Sequence, residues 1–147
     1  MLKLVADKNS NFIISDIDFY EEKSLPTINT LEEMQKQHPD KEIWFLTGSD
    51  NLKYLHTWDR AEDIVSKHKV LIMERENDQM DEIIENNSLL LKYKENFIEL
   101  KRDLRSNYSS TYIRNQIKAN KSVRYLLPDE VYEYILQNKL YMEEVYD

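Results

Sequence analysis

The sequence predicts an α/β fold built on a parallel sheet, and three observations carry that prediction. Short runs rich in β-branched, aromatic and other apolar residues lie at 12–19, 42–46 and 69–73. Each is followed by a stretch with apolar residues at helical spacing. Strands that alternate with helices in this way build βα units and a parallel sheet. The third observation is Gly48, the single glycine among 147 residues, which stands where the second run ends. Glycine permits φ > 0 or close approach of another group to the backbone. In an open α/β sheet the carboxyl ends of the strands are where ligands bind. The competing reading of Gly48 is an ordinary strand-to-helix turn.

The elements follow in order. Residues 2–8 carry Leu2, Leu4 and Val5 with no capping residue before them. Two turns make a marginal helix by themselves, so this reads as the end of an element whose beginning is missing. Asn9-Ser10-Asn11 is a turn, and 12–19 is the first strand, with Asp16 and Asp18 on its polar face. Pro26 and Thr27 open a helix capped by Thr27 or Ser24, with Ile28, Leu31 and Met34 at helical spacing up to Gln37. His38-Pro39-Asp40 ends it. Residues 42–46 form the second strand. One helical turn follows over 51–55, and Thr57 caps a helix carrying Trp58, Ala61, Ile64 and Val65.

Residues 69–73 form the third strand. A helical stretch over 79–92 is interrupted by Asn86-Asn87-Ser88, and 96–100 is a short strand. Ser109-Ser110-Thr111 opens a helix with Ile113 and Ile117 on one face. Asn120 suits a left-handed position at its end. Pro128 starts the last helix, with Val131, Tyr134, Ile135 and Leu140 inside. The whole reads as one domain over 1–147.

Composition narrows the function. Lys plus Arg is 20 and Asp plus Glu is 28, a net charge of −8, which argues against general nucleic-acid binding. No apolar run approaches the roughly 20 residues that a membrane span needs. There are no cysteines and the start has no secretory pattern, so a cytoplasmic setting is expected. With one glycine, neither a Walker loop nor a G-x-G-x-x-G turn can be written. A phosphate would have to be held by helix N-termini and basic side chains. No metal site is expected, since His38, His56 and His68 lack ligand spacing. His38 and His68 read as solvated groups beside helix ends. The acidic residues over 74–85 read as a solvated helix face.

Three places can carry chemistry. Asp50 follows the Gly48 turn. Trp58 can stack on a flat ring or serve as core. Arg114 lies near the start of the helix that Ser109-Ser110-Thr111 opens, where a cation opposes the helix dipole by roughly 0.3–1 kcal/mol. A phosphate at that helix end would remove the conflict. A plain cap with a solvated arginine is the alternative.

Several motifs together resemble one family. Gly48-Ser49-Asp50-Asn51-Leu52 with His56-Thr57-Trp58 is similar to the G-[AS]-D-x-L…W segment of bacterial nicotinate-nucleotide adenylyltransferases. Ser109-Ser110-Thr111-Tyr112-Ile113-Arg114 resembles their S-S-T-x-I-R motif. Ser122-Val123-Arg124-Tyr125-Leu126-Leu127-Pro128, Tyr134-Ile135 and Leu140-Tyr141 look like their C-terminal signature. Ser15-Asp16-Ile17 and Thr27-Ile28-Asn29-Thr30-Leu31 are similar to upstream segments. The resemblance implies a Rossmann-like nucleotidyltransferase sheet with flanking helices. It implies adenylyl transfer from ATP, accompanied by Mg²⁺, to nicotinate mononucleotide, giving deamido-NAD and pyrophosphate. Gly48 and Asp50 would line the adenosine, and Ser110 and Arg114 would hold the phosphates of ATP. Trp58 would stack on the nicotinate ring, and Thr27 would lie near its carboxylate.

The departures are equally specific. The family's G-G-x-F-x-P-x-H-x-G-H segment has no counterpart here, so no catalytic residue is assigned. The first two strand–helix units of its sheet are absent, and the expectation is the C-terminal part of such an enzyme, with little activity by itself. The alternative is a non-catalytic nucleotide-binding or interaction module that closes its sheet as a homo-oligomer. Pro26 stands where the family has tyrosine, which leaves nicotinate and nicotinamide mononucleotides both open as substrates. Asn29 and Asn120 replace its aspartate and glycine.

Overall fold

The computed structural model describes residues 1–17, 25–74, 79–100 and 108–142. It divides into two compact units, Asp16–Asp103 on one side and Met1–Ser15 with Leu104–Asp147 on the other.

The first unit is an α/β layer arrangement. Helix α2 (Thr27–Gln37) leads to β1 (Trp44–Gly48), α3 (Ser49–Leu52) and a 3-10 turn at Leu55–Thr57. Then come α4 (Ala61–Lys67), β2 (Lys69–Met73), α5 (Met80–Glu85), α6 (Ser88–Lys92) and β3 (Phe97–Leu100). Among the described residues the sheet has three strands in the order β1-β2-β3, all parallel. Trp44 pairs with Lys69 and Gly48 with Met73, and Val70 pairs with Phe97 and Met73 with Leu100. Parallel strands need helical crossovers, which lay helices over the sheet. The core is the result: Ile28 and Leu31 from α2, Leu52, Leu55, Ile64 and Val65, Val70 and Ile72 from β2, Ile84, Leu90 and Phe97. The acidic residues Asp81, Glu82 and Glu85 of α5 face solvent, as their composition predicts.

The interruption expected inside 79–92 is a cap. The Asn87 side chain accepts hydrogen bonds from the Leu89 and Leu90 amides at 3.0 and 3.1 Å, which starts α6 as a separate helix. Caps of this kind contribute about 1 kcal/mol.

The second unit contains α1 (Leu2–Ala6), α7 (Ser110–Lys118), a 3-10 turn at Arg124–Leu126 and α8 (Asp129–Gln137). Its core is Ile117, Val123, Val131 and Ile135, with Leu140 packed against them. Lys8 and Glu130 form an ion pair between the end of α1 and α8. Asn120 has φ 54°, the left-handed conformation expected after α7. Tyr134, expected inside α8, is exposed. Val131 and Ile135 share the covered face, and Tyr134 is turned roughly 100° away from Ile135, toward the side that a small core leaves open.

Several expectations are corrected. The first strand, placed at 12–19, is not formed over 12–17, and residues 18 and 19 lie outside the described residues. Ile13 is 84% exposed, with Phe12 and Ile14 exposed beside it. An apolar run becomes a strand only where a neighbouring backbone accepts its ladder, and among the described residues no strand pairs with this one. Asp16 therefore has no edge strand to sit on. The second strand is shifted two residues, to Trp44–Gly48. Neither Thr27 nor any other described side chain caps α2, whose cap position is Pro26; Ser24 lies outside the described residues. His68 is buried, not solvated, and its Nδ1 lies 3.1 Å from the Ile43 carbonyl oxygen.

Candidate functional site

The carboxyl end of β1 is the best-formed part of the site. Thr47, Gly48 and Ser49 are buried there and Asp50 is exposed in the first turn of α3. Gly48 is the last residue of the strand, with φ −87° and ψ 159°. It uses no left-handed conformation, so positive φ is not what places a glycine here. What glycine supplies at this buried position is the absence of a side chain. The Asn51 side-chain amide donates to the Thr47 hydroxyl at 3.1 Å, which fixes the turn around Gly48. Sequence reasoning passed over this pair and over the fully buried Ser49. Their signal was present in the alternation along β1, which points Thr47 inward once the strand is placed two residues later.

Trp58 is half-buried. It packs against the core and sets its ring edge-on to Phe45 of β1, with centroids 6.0 Å apart. It does not lie inside a helix, as the sequence suggested. Thr57 is no cap for α4 either, because its hydroxyl donates to the Tyr54 carbonyl at 2.7 Å. The cap position of α4 is Arg60, in the left-handed region at φ 49° and ψ 42°. Trp58 therefore sits in a two-step turn between the 3-10 segment and α4. Thr27 is the first residue of α2 and is half-buried. His56 is exposed.

Arg60 was not anticipated from the sequence. Its Nη1 and Nη2 donate to the two carboxylate oxygens of Glu32 on α2, at 3.0 and 2.6 Å. Its Nε donates to Asp63 of α4 at 2.7 Å. Lys67 completes the group, 3.2 Å from Asp63 and 3.8 Å from Glu32. The Arg60 hydrogen bonds hold the Glu32 and Asp63 carboxyls below their ordinary values, and Glu32 in turn raises Arg60. A second group lies nearby in sequence: Glu62 accepts from Lys92 at 2.7 Å and from the Tyr93 hydroxyl at 2.8 Å, which lowers its carboxyl too.

The sign of the pH dependence follows. A carboxylate with a lowered folded pKa contributes stability above its unfolded pKa and loses it as pH falls through the folded value. The loss therefore begins below the ordinary values of 4.5 for Glu32 and Glu62 and 3.8 for Asp63. Urea midpoints are expected to fall from about pH 4.5 downwards, and Glu32→Gln is expected to make that fall shallower. All these groups are part-exposed, so 1 M salt should flatten the same limb. An acid limb as steep in Glu32→Gln as in the wild type would remove Glu32 from this account.

Ser110 and Arg114 lie on α7, in the other unit. The Ser109 hydroxyl accepts from the Tyr112 amide at 3.1 Å and is the cap of the helix. Ser110 is the first helical residue and is exposed, as is Arg114. Among the described residues Arg114 reaches the Thr111 hydroxyl, at 3.5 Å. No acidic residue occupies the first turn, so the positive end of the helix and the guanidinium are not neutralised within it. Among the described residues, no three His, Asp or Glu side chains come together as a metal-ligand set. None of the described helices is long and apolar enough to cross a membrane.

With this geometry in view, comparison with known proteins is specific. A profile of the cytidylyltransferase-like family matches residues 1–116. The probable nicotinate-nucleotide adenylyltransferase of Clostridium botulinum (strain Okra / Type B1) is 36% identical over 143 residues, 96% of this chain and 71% of that protein. The protein of the same description from Lachnoclostridium phytofermentans is 34% identical over 143 residues, 97% of this chain and 71% of that one. Two solved structures of the Plasmodium falciparum nicotinic acid mononucleotide adenylyltransferase share the fold. The complex with APC gives a TM-score of 0.74 at 20% identity, over 96% of this chain and 72% of that one. The complex with NaAD gives 0.73 at 21%, over 96% and 71%. The resemblance read from the motifs is thus borne out over nearly the whole sequence. The chain belongs to the cytidylyltransferase-like nucleotidyltransferases and, among them, to the nicotinate-nucleotide adenylyltransferase family.

Proposed function

We propose that this chain serves adenylyl transfer from ATP to nicotinate mononucleotide, forming deamido-NAD and pyrophosphate. The observation that carries the reading is the Gly48-Ser49-Asp50 turn at the carboxyl end of a parallel strand, in a chain alignable over 143 residues with relatives described by that activity. In this reading Gly48 and Asp50 line the adenosine. Trp58 stacks on the nicotinate ring, and Thr27 lies beside its carboxylate. Ser110 and Arg114 receive the triphosphate, where the α7 N-terminus and the guanidinium both favour an anion. A phosphate oxygen of the mononucleotide attacks the α-phosphorus of ATP in line, and the bond to the bridging oxygen breaks as pyrophosphate leaves. The protein's part is positioning and charge neutralisation, with no covalent intermediate. Mg²⁺ enters with the triphosphate, as part of the substrate.

The alternative reading is a nucleotide-binding module of the same family without catalysis. Pyrophosphate release and calorimetric binding, measured side by side, separate the two. Release that depends on both ATP and nicotinate mononucleotide is expected for the enzyme, with Trp58→Ala raising the mononucleotide KM about tenfold or more, the scale of a lost ring contact. Binding of both nucleotides without release supports the module. Binding of neither overturns both. Nicotinamide mononucleotide run in parallel decides which base the site prefers.

A further inference from the structure

We propose that Arg60 is a positioning residue for mononucleotide recognition. Its guanidinium ties the turn that carries Trp58 to the helix that carries Thr27, and so sets the spacing of those two side chains. The inference rests on the reading of Trp58 and Thr27 given above.

Three features of Arg60 point this way. The first is its backbone. A left-handed φ of 49° is a conformation that glycine, asparagine and aspartate adopt readily and that arginine rarely does. It reverses the chain between Trp58 and α4, so the direction in which Trp58 projects depends on it. The Ala61 amide bonds back to the Trp58 carbonyl at 3.2 Å, and the Asp63 amide to the Arg60 carbonyl at 2.9 Å. Trp58 and Arg60 therefore belong to one hydrogen-bonded turn.

The second feature is the fork. Both terminal nitrogens engage both oxygens of Glu32, while Nε engages Asp63. A planar guanidinium bound at two points on one carboxylate fixes orientation as well as distance. Asp63 lies on the helix that Arg60 itself begins, so that contact holds Arg60 to α4. Glu32 lies five residues beyond Thr27 on α2, about one and a half turns, and is the link across. A lysine could keep the charge but not the two-point geometry.

The third is exposure. The Arg60 and Glu32 side chains are 42% and 36% exposed. Ion pairs this open contribute little to stability. The helices α2 and α4 are already joined by Ile28, Leu31, Ile64 and Val65 in the core. What the fork adds is registry between the turn before α4 and helix α2. Trp58 is itself held by Phe45 and the core, so loss of the fork loosens the turn that carries the indole and leaves the core contacts in place.

The test is calorimetric binding of nicotinate mononucleotide and, separately, of ATP to the 147-residue chain and three variants. Arg60→Gly suits the left-handed backbone and removes the fork. Arg60→Lys keeps the charge, and Glu32→Gln keeps the arginine. All three are expected to weaken mononucleotide binding about tenfold, with ATP affinity changed less than about twofold and the melting temperature close to wild type. The double variant Arg60→Gly with Glu32→Gln should be no weaker than either single one, because both remove the same contact. Unchanged mononucleotide affinity in Arg60→Gly overturns the proposal. So does an equal loss for both ligands accompanied by a lower melting temperature, since that is a structural role only. A wild-type chain that binds no mononucleotide overturns the functional reading and this inference with it; a wild type that binds beside an unaffected variant overturns this inference alone.

Discussion

Ile72→Ala is expected to destabilise the Asp16–Asp103 unit by about 2–5 kcal/mol, the usual cost of emptying a fully buried isoleucine site. Ile72 sits in the middle strand of the sheet, opposite Thr47 of β1 and Glu99 of β3. It has no exposed surface and belongs to the cluster that joins the sheet to α2, α4, α5 and α6. Side chains from those helices pack against that face, so the cavity cannot collapse cheaply. A loss of this size is a large share of the roughly 5–15 kcal/mol that holds a typical domain together. Ile72→Val removes one methyl group and should cost about 0.5–1.5 kcal/mol. Leu71 alternates to the other face and is only half-buried, so Leu71→Ala should fall clearly below Ile72→Ala. Urea unfolding followed by tryptophan fluorescence measures all three, since Trp44 and Trp58 both lie in this unit. An Ile72→Ala midpoint indistinguishable from wild type would refute this account of the core.

The same strand shows what the sequence made legible. The expected strand at 69–73 matches the observed one to the residue, because an apolar run between a helical pattern and a polar stretch leaves few alternatives. The Asn87 cap was visible as an interruption for an equally local reason: asparagine competes with the helix for backbone hydrogen bonds. The 12–19 run is just as strand-like in composition, yet strand formation is a property of two segments and the run shows only one of them. The shift of β1 has the same origin. The Ile43 carbonyl is met by the His68 side chain, and the ladder begins one residue later, where Trp44 meets Lys69. That register is set by β2, more than twenty residues away.

The candidate site divides along similar lines. Gly48, Asp50 and the Ser109 cap are local signals and stand where turn chemistry put them. Trp58 was found as a residue but placed in the wrong element. The turn around it depends on a left-handed arginine, and nothing local favours one. Its bonding partner Glu32 lies 28 positions earlier in the chain. Contacts over that separation leave no periodicity for a sequence reading to find.

Gly48→Ala is expected to leave the urea midpoint close to wild type and to weaken ATP binding about tenfold or more. Two accounts of this glycine compete, and the backbone separates them. At φ −87° and ψ 159° the residue is extended, in a region open to every L-amino acid. Alanine therefore incurs no conformational cost, and by narrowing the unfolded ensemble it can even stabilise by up to about 1 kcal/mol. A chain with no other glycine thus gains no conformational freedom by keeping one at the end of β1. What glycine does supply is room, because the missing Cβ lets another group come against the main chain. A ligand lying across the carboxyl end of the strand would use that room, and a methyl group would occupy it. Binding measured by calorimetry and unfolding in urea give two independent readings of the same substitution. Equal ATP affinity in the two proteins would show that nothing approaches this backbone. A lowered midpoint with unchanged affinity would assign the glycine to packing against its buried neighbours Thr47 and Ser49. A stable variant that has lost ATP leaves close approach of the nucleotide as the reason this position has no side chain.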